Sequence, residues 1–227
     1  MAETLSSLRT RVRARADMKN SSFVEDDELN QYINSSYQEL YDILVSSFED
    51  YYTLAPVLFS ITSGNTYALP SNFYKLRGVD ASLDGSNFYT MQPFDFASRN
   101  NYSQNLGVLN NGQYQNQYRI VGDNLYFTPE DGATGDYRLW YVPRATTLTL
   151  DASTLDGING WEEYVVVDAA RKCLAKEESD TSFLLAEKEA LRQRITTMAA
   201  RRDAGMPKSI TDIHAAQSNG YLRGRIF

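Results

Sequence analysis

The sequence has one cysteine and one histidine, and these two shortages exclude the sites that need several thiols or imidazoles. Cys173 has no second thiol to pair with, which rules out an internal disulfide framework and a cysteine-based zinc site. His214 cannot build a multi-histidine metal centre and is the one candidate for an imidazole-dependent triad. It lies two residues after Asp212, near Ser209 and Thr211, in a stretch with no helical or strand period. Such a stretch offers no preorganised frame for nucleophile, base and orienter. No apolar run approaches the ~18 residues of a membrane span. Residues 1–15 lack the apolar core of a signal peptide, so the expectation is a soluble chain kept inside a cell. Neither G-x-x-x-x-G-K-[ST] nor G-x-G-x-x-G occurs, which removes the conventional nucleotide cradles. The expected content of cofactor, metal and catalytic residues is none.

Positive charge is missing from one long stretch. Residues 21–60 carry eight acidic residues and no Lys or Arg, whereas residues 1–20 carry five basic residues against two acidic ones. The last segment, 204–227, is basic again, with Lys208, Arg223 and Arg225 against Asp212. The net charge of −7 is thus an acidic body between two basic ends. Arg9, Arg11, Arg13 and Arg15 either lie along the acidic segment of their own chain or meet it in a neighbouring copy, as inter-subunit charge contacts. Alternating at spacing two, they spread around a helix instead of forming a one-sided phosphate-tracking stripe. What the chain has in surplus is tyrosine, sixteen residues against ten phenylalanines, and tyrosine suits surfaces that are half buried or bound to a partner.

Periodicity divides the chain into four parts. Residues 1–55 read as two helices. The first has Leu5, Leu8 and Val12 at helical spacing. The second runs from a capping-box pattern at Ser22–Glu25 to about Asp50, with the stripe Leu29, Ile33, Tyr37, Leu40, Leu44, Phe48 and Tyr51. Residues 56–158 read as a β-rich insertion. Within it, Asp84-Gly85-Ser86-Asn87 joins two strands as a hairpin. Residues 93–99 are expected to form a short helix with Pro93 in its first turn. The Asn-, Gln- and Tyr-rich segment 100–117 is expected to be a long surface loop. Residues 159–205 read as two helices: one capped by Asn159 and containing Val165, Val166, Ala169, Ala170, Cys173 and Leu174, the other with Leu184, Leu191, Ile195 and Met198 as its stripe. Residues 206–227 form an extended C-terminal arm ending in Tyr221-Leu222-Arg223-Gly224-Arg225-Ile226-Phe227, whose apolar anchors and glycine hinges suit a segment that orders on a partner. The expected fold class is α+β: a helical bundle from both ends of the chain, an inserted antiparallel β-rich block, and an extended tail.

The remaining motifs read as structural. Asp131–Asp136 lacks the alternating ligands and terminal Glu of a calcium loop and reads as a hairpin turn. Glu162-Glu163 and Glu177-Glu178 are adjacent, so on a helix each pair points about 100° apart and shares no site. Cys173 sits on an apolar helix face and reads as a buried thiol. Two competing functions follow from residues that remain: an accessory enzyme, such as a carbohydrate-active one, using carboxylates on the β block, or a nucleic-acid-binding adaptor using the N-terminal arginines.

Four phrases carry a resemblance across residues 25–200. They are Glu28-Leu29-Asn30-Gln31-Tyr32-Ile33-Asn34, residues 67–76 from Tyr67 to Leu76, residues 118–127 from Tyr118 to Phe127, and residues 161–170 from Trp161 to Ala170. In this order the chain resembles the head-to-tail adaptor (connector or head-completion) proteins of short-tailed bacteriophages. The resemblance implies a virion protein assembled in the host cytoplasm and not an enzyme. It implies identical subunits in a ring of about twelve copies beneath the portal protein, with tail (nozzle or tail-tube) proteins on the other side and DNA in transient passage. No membrane partner is implied. The portal-binding role falls on Tyr221, Leu222, Arg223, Arg225, Ile226 and Phe227, and loop 100–117 is a candidate contact with the tail or a neighbour.

Overall fold

The computed structural model describes residues 3–19, 23–82, 84–98, 109–110, 113–114, 117–128, 133–155 and 160–201. Helix α1 (Leu5–Arg15) begins at Thr4, whose side-chain oxygen accepts the Ser7 N–H at 3.2 Å, a cap that contributes about 1 kcal/mol. Its stripe of Leu5, Leu8 and Val12 is buried. Helix α2 (Asp26–Ser47) carries Asp26, Asp27 and Glu28 in its first turn, where the macrodipole favours negative charge. Leu29, Ile33, Tyr37, Leu40 and Leu44 are buried along one face. The pattern in the sequence carries this helix to residue 50, but it stops at Ser47, where Phe48 turns extended with φ −145°. The hydroxyls of Ser46 and Ser47 both bond back to the Ile43 carbonyl, competing with the helical ladder. Tyr51 reaches the core from beyond the helix.

The chain returns to the bundle through helix α3 (Glu162–Lys176) and helix α4 (Ser182–Ala199). Every residue from Tyr164 to Ala170 is buried, as expected for a helix covered on nearly all sides, and α3 packs on all three other helices. The segment before it fastens the first helix in place. Leu5 N donates to Ser153 O and Leu155 N to Glu3 O, both at 2.9 Å, with a β-bridge between Thr4 and Thr154. The expected cap Asn159 lies outside the described residues; the residue at the observed N-cap is Trp161, without a side-chain cap bond.

Between α2 and α3 lie two four-stranded sheets. One is built from β1 (Val57–Ile61), β3 (Phe73–Ser82), β4 (Phe88–Thr90) and β10 (Gly135–Pro143), in the order β1-β10-β3-β4. The other is built from β2 (Thr66–Ala68), β5 (Gln92–Pro93), β8 (Gln117–Val121) and β9 (Asn124–Thr128), in the order β2-β9-β8-β5. A two-residue ladder pairs β6 (Leu109–Asn110) with β7 (Gln113–Tyr114) inside the segment read as a loop, and Gln117 at its end opens β8; the rest of that segment lies outside the described residues. The hairpin at 84–87 forms as read, with Gly85 at φ +79° and the Asp84 carboxylate accepting the Ser86 and Asn87 N–H groups. All pairings are antiparallel except β5 with β8, which is parallel. That exception replaces the short helix expected at 93–99. Pro93 lies in an edge strand, where its missing N–H costs nothing. Phe94, buried at 6 % exposure, donates its N–H to Tyr118 O, and only a 3₁₀ turn, Phe96–Ser98, follows.

Two apolar cores result. The helices bury Leu5, Ile33, Leu44, Tyr164, Val167 and Ile195 together. The sheets bury Phe59, Val79, Leu125, Phe127, Tyr137 and Leu139, one residue in two along their strands, as the period of a strand requires. The architecture is therefore α+β, with four packed helices from both ends of the chain and two small sheets inserted between them.

Candidate functional site

The two cores meet along the C-terminal half of α2. Tyr41, Val45 and Val142 form a small cluster between them. The Tyr41 ring stacks on Tyr52 at 4.2 Å, and its hydroxyl donates to Pro143 O at 2.6 Å. Tyr74 on β3 donates to Asp42 on α2 at 2.7 Å. Beyond the helix end, Arg77 pairs with Glu49 and Asp50, and Lys75 with Glu49; the two cations hold the Glu49 carboxyl below its ordinary value. Part of the tyrosine surplus is spent inside the molecule: Tyr37, Tyr41, Tyr51, Tyr118, Tyr137, Tyr141 and Tyr164 are buried. Clefts of about 540 and 310 Å³ open along this junction and another of about 290 Å³ lies on the β block beside Pro70 and Asp123; Arg144 borders all three.

The most densely paired charge in the bundle lies outside every chemical motif noted in the sequence. Asp168 on α3 is 0 % exposed. Its carboxylate meets Lys172 Nζ at 2.9 Å, Lys188 Nζ at 3.0 Å and Arg171 at 3.0 Å. Ser36 on α2 donates to it at 2.7 Å and accepts from Lys172 at 2.9 Å. Lys188 also pairs with Glu39 at 2.8 Å. Burial alone raises the pKa of this carboxyl, but Lys172, Ser36 and Lys188 overcome that and hold it well below the usual carboxylate range. Such a group is locked as a charge, which is the opposite of what proton transfer near neutrality needs. The cluster ties α2, α3 and α4 together. Its signal in the sequence is an acid inside the apolar run Val165–Ala170, with Lys172 four residues on. On α4 the buried row is Leu184, Ile195 and Ala199, with Lys188 reaching inward from the same face. Met198, read as part of that stripe, is 58 % exposed.

The N-terminal arginines have partners in their own chain. Arg9 pairs with Asp26 and Asp151, and Arg11 with Glu3 and Glu163. Arg13 pairs with Asp26 at 2.9 Å and Arg15 with Glu187. Within one chain, the arginines of α1 are thus taken up by Asp26 of the acidic segment 21–60 and by Glu3, Asp151, Glu163 and Glu187 outside it. Glu163 of the first carboxylate pair is engaged in this way. Cys173 is buried, and burial pushes its thiol up to about 11. On the β block, Asp80 accepts from Trp140 Nε1, and Asp136 accepts from Ser60. Among the described residues no three His, Cys, Asp or Glu side chains are grouped to hold a metal ion, and no helix is long and apolar enough to cross a membrane. His214 and the arm residues Tyr221, Leu222, Arg223, Arg225, Ile226 and Phe227 lie outside the described residues.

A comparison with curated proteins finds none that matches. A family model, the SU10 adaptor protein, matches residues 3–211 and so spans both helical ends and the inserted sheets. The chain therefore belongs to the SU10 adaptor family, whose members are phage adaptor proteins.

Proposed function

We propose that this chain is a structural virion protein that joins the portal to the tail of a phage, assembling with identical copies in a ring of about twelve that continues the DNA channel. The observation that carries this reading is the family match over residues 3–211. The geometry supports it in two ways. Asp168 and Cys173, both buried in the helical bundle, are each held in a single protonation state near neutrality, which suits a scaffold better than a catalyst. The α1 arginines are engaged by carboxylates of their own chain, which leaves little free charge there for phosphate and weighs against a nucleic-acid module. DNA would then pass the ring without being gripped by these residues.

The portal contact is assigned to the arm, residues 208–227, through Tyr221, Leu222, Arg223, Arg225, Ile226 and Phe227, and segment 100–117 is the candidate contact with the tail or a neighbour. Native mass measurement on the purified chain, alone and mixed with portal, tests the reading. A ring-sized species, or addition of multiple copies to portal, is expected. A strict monomer that ignores portal overturns it. Deleting residues 208–227 should abolish attachment to portal while leaving the circular dichroism spectrum unchanged; unaltered attachment refutes the assignment of the arm.

A further inference from the structure

Helix α4 leaves large apolar side chains in solvent at both of its ends. Phe183 is 74 % exposed and Leu185 55 % at the start, and Met198 58 % at the finish. The charges beside them have opposite sign. Glu177 and Glu178, in the turn from α3 to α4, form no ion pair among the described residues, and neither do Arg194 and Arg201 at the far end. The 18 residues of α4 separate the two ends by about 27 Å, more than the Debye length of ~8 Å at physiological salt. The two ends cannot neutralise each other within one chain, but a second copy offers each end its complement.

The acidic end is also kept against local preference. Glu177 and Glu178 stand at the C-terminus of α3, where the macrodipole disfavours negative charge. Glu178 adopts φ +59°, the left-handed conformation that glycine usually supplies at a helix end. Local choices that oppose the fold's own preferences accumulate where something other than monomer stability is being served.

We propose that the α3–α4 turn of one copy, with Glu177, Glu178 and Phe183, docks on the Arg194, Met198 and Arg201 end of α4 in a second copy. This head-to-tail contact between identical chains rests on the reading of the protein as an assembling adaptor and adds where neighbours touch. It places the charge contact on cations that form no ion pair among the described residues, instead of on the α1 arginines. Because the two patches differ, the contact is heterologous, and repetition closes a ring when the rotation between copies allows it.

Sedimentation of the full chain over a dilution series, with and without portal, tests the contact. Arg194→Glu with Arg201→Glu should weaken self-association about tenfold or more, and Glu177→Arg with Glu178→Arg should do the same. A chain carrying all four changes should recover to within about threefold of the parent, because each patch again meets its complement. Reversals without effect, or a combined chain no better than either pair, overturn the contact. Glu178→Gly provides a variant that does not threaten folding: its thermal midpoint should rise while association weakens, and unchanged association counts against the proposal. A parent chain that stays monomeric yet still attaches to portal overturns this contact alone. One that does neither overturns the adaptor reading with it.

Discussion

Asp168 occupies a position in α3 where the helical period asks for an apolar side chain, and Lys172, Lys188, Arg171 and Ser36 make it tolerable there. A charge so placed is costly to disturb, because removing one partner strands the others in poor solvent. Asp168→Asn keeps the volume and the Ser36 contact but removes the charge, and should cost about 3 kcal/mol of unfolding free energy, read from urea denaturation at neutral pH. The carboxyl's folded pKa is depressed below its unfolded value near ~3.9, so its contribution is complete above that value and fades as pH falls toward the native one. The parent chain should therefore lose more stability than the Asn variant as pH drops below about 4. Parallel acid limbs for the two proteins would contradict this assignment. Cys173 supplies a second residue-scale expectation. A thiol that is buried and pushed up to about 11 should resist iodoacetamide at mildly alkaline pH in the native chain and react fully once the chain is unfolded in urea.

At the scale of elements, the junction between helices and sheets depends on α2, whose C-terminal half serves both cores. Tyr41 is its clearest single contact, stacking on Tyr52 and donating to Pro143 O. Tyr41→Phe retains the stack but leaves a half-buried carbonyl without its donor, so about 1 kcal/mol should be lost, with near-ultraviolet dichroism reporting whether the tyrosine cluster keeps its packing. The stripe that builds α2 is legible in the sequence because Leu29, Ile33, Tyr37, Leu40 and Leu44 recur at helical spacing and each is buried against α3 or the junction. The hairpin at 84–87 is legible because its turn chemistry is local. Less legible are features decided by distant partners. Lys188 belongs to the inward face of α4 only because Asp168 waits on another helix. Pro93 is a strand residue only because β8 lies alongside, and Tyr41 turns inward because Val142 and the Pro143 carbonyl meet it from the β block. Composition could report the surplus of tyrosine but not which surfaces, internal or external, would consume it.

For the whole molecule, the charge pattern in the sequence was a guide to complementarity, and the fold changes which charges remain for partners. Arg9, Arg11, Arg13 and Arg15 are drawn into a belt across the bundle, joining α1 to Asp26, Asp151, Glu163 and Glu187. Exposed pairs of this kind contribute little each, about 0–1 kcal/mol, and the belt lies over a core that carries most of the stability. Charges that form no ion pair among the described residues, at the two ends of α4, act across distances set by salt. Raising NaCl from 0.05 M to 1 M shortens the screening length to about 3 Å, so association between copies should weaken steadily while the urea midpoint of the monomer changes little. The apolar part of the same contact, Phe183 and Met198, responds in the opposite sense, since its burial is not weakened by screening. The slope of association against salt therefore measures which of the two dominates. A clear weakening assigns the contact mainly to Glu177, Glu178, Arg194 and Arg201, whereas association that holds or tightens in 1 M NaCl removes those four residues from the explanation and leaves α4's exposed apolar ends to carry it.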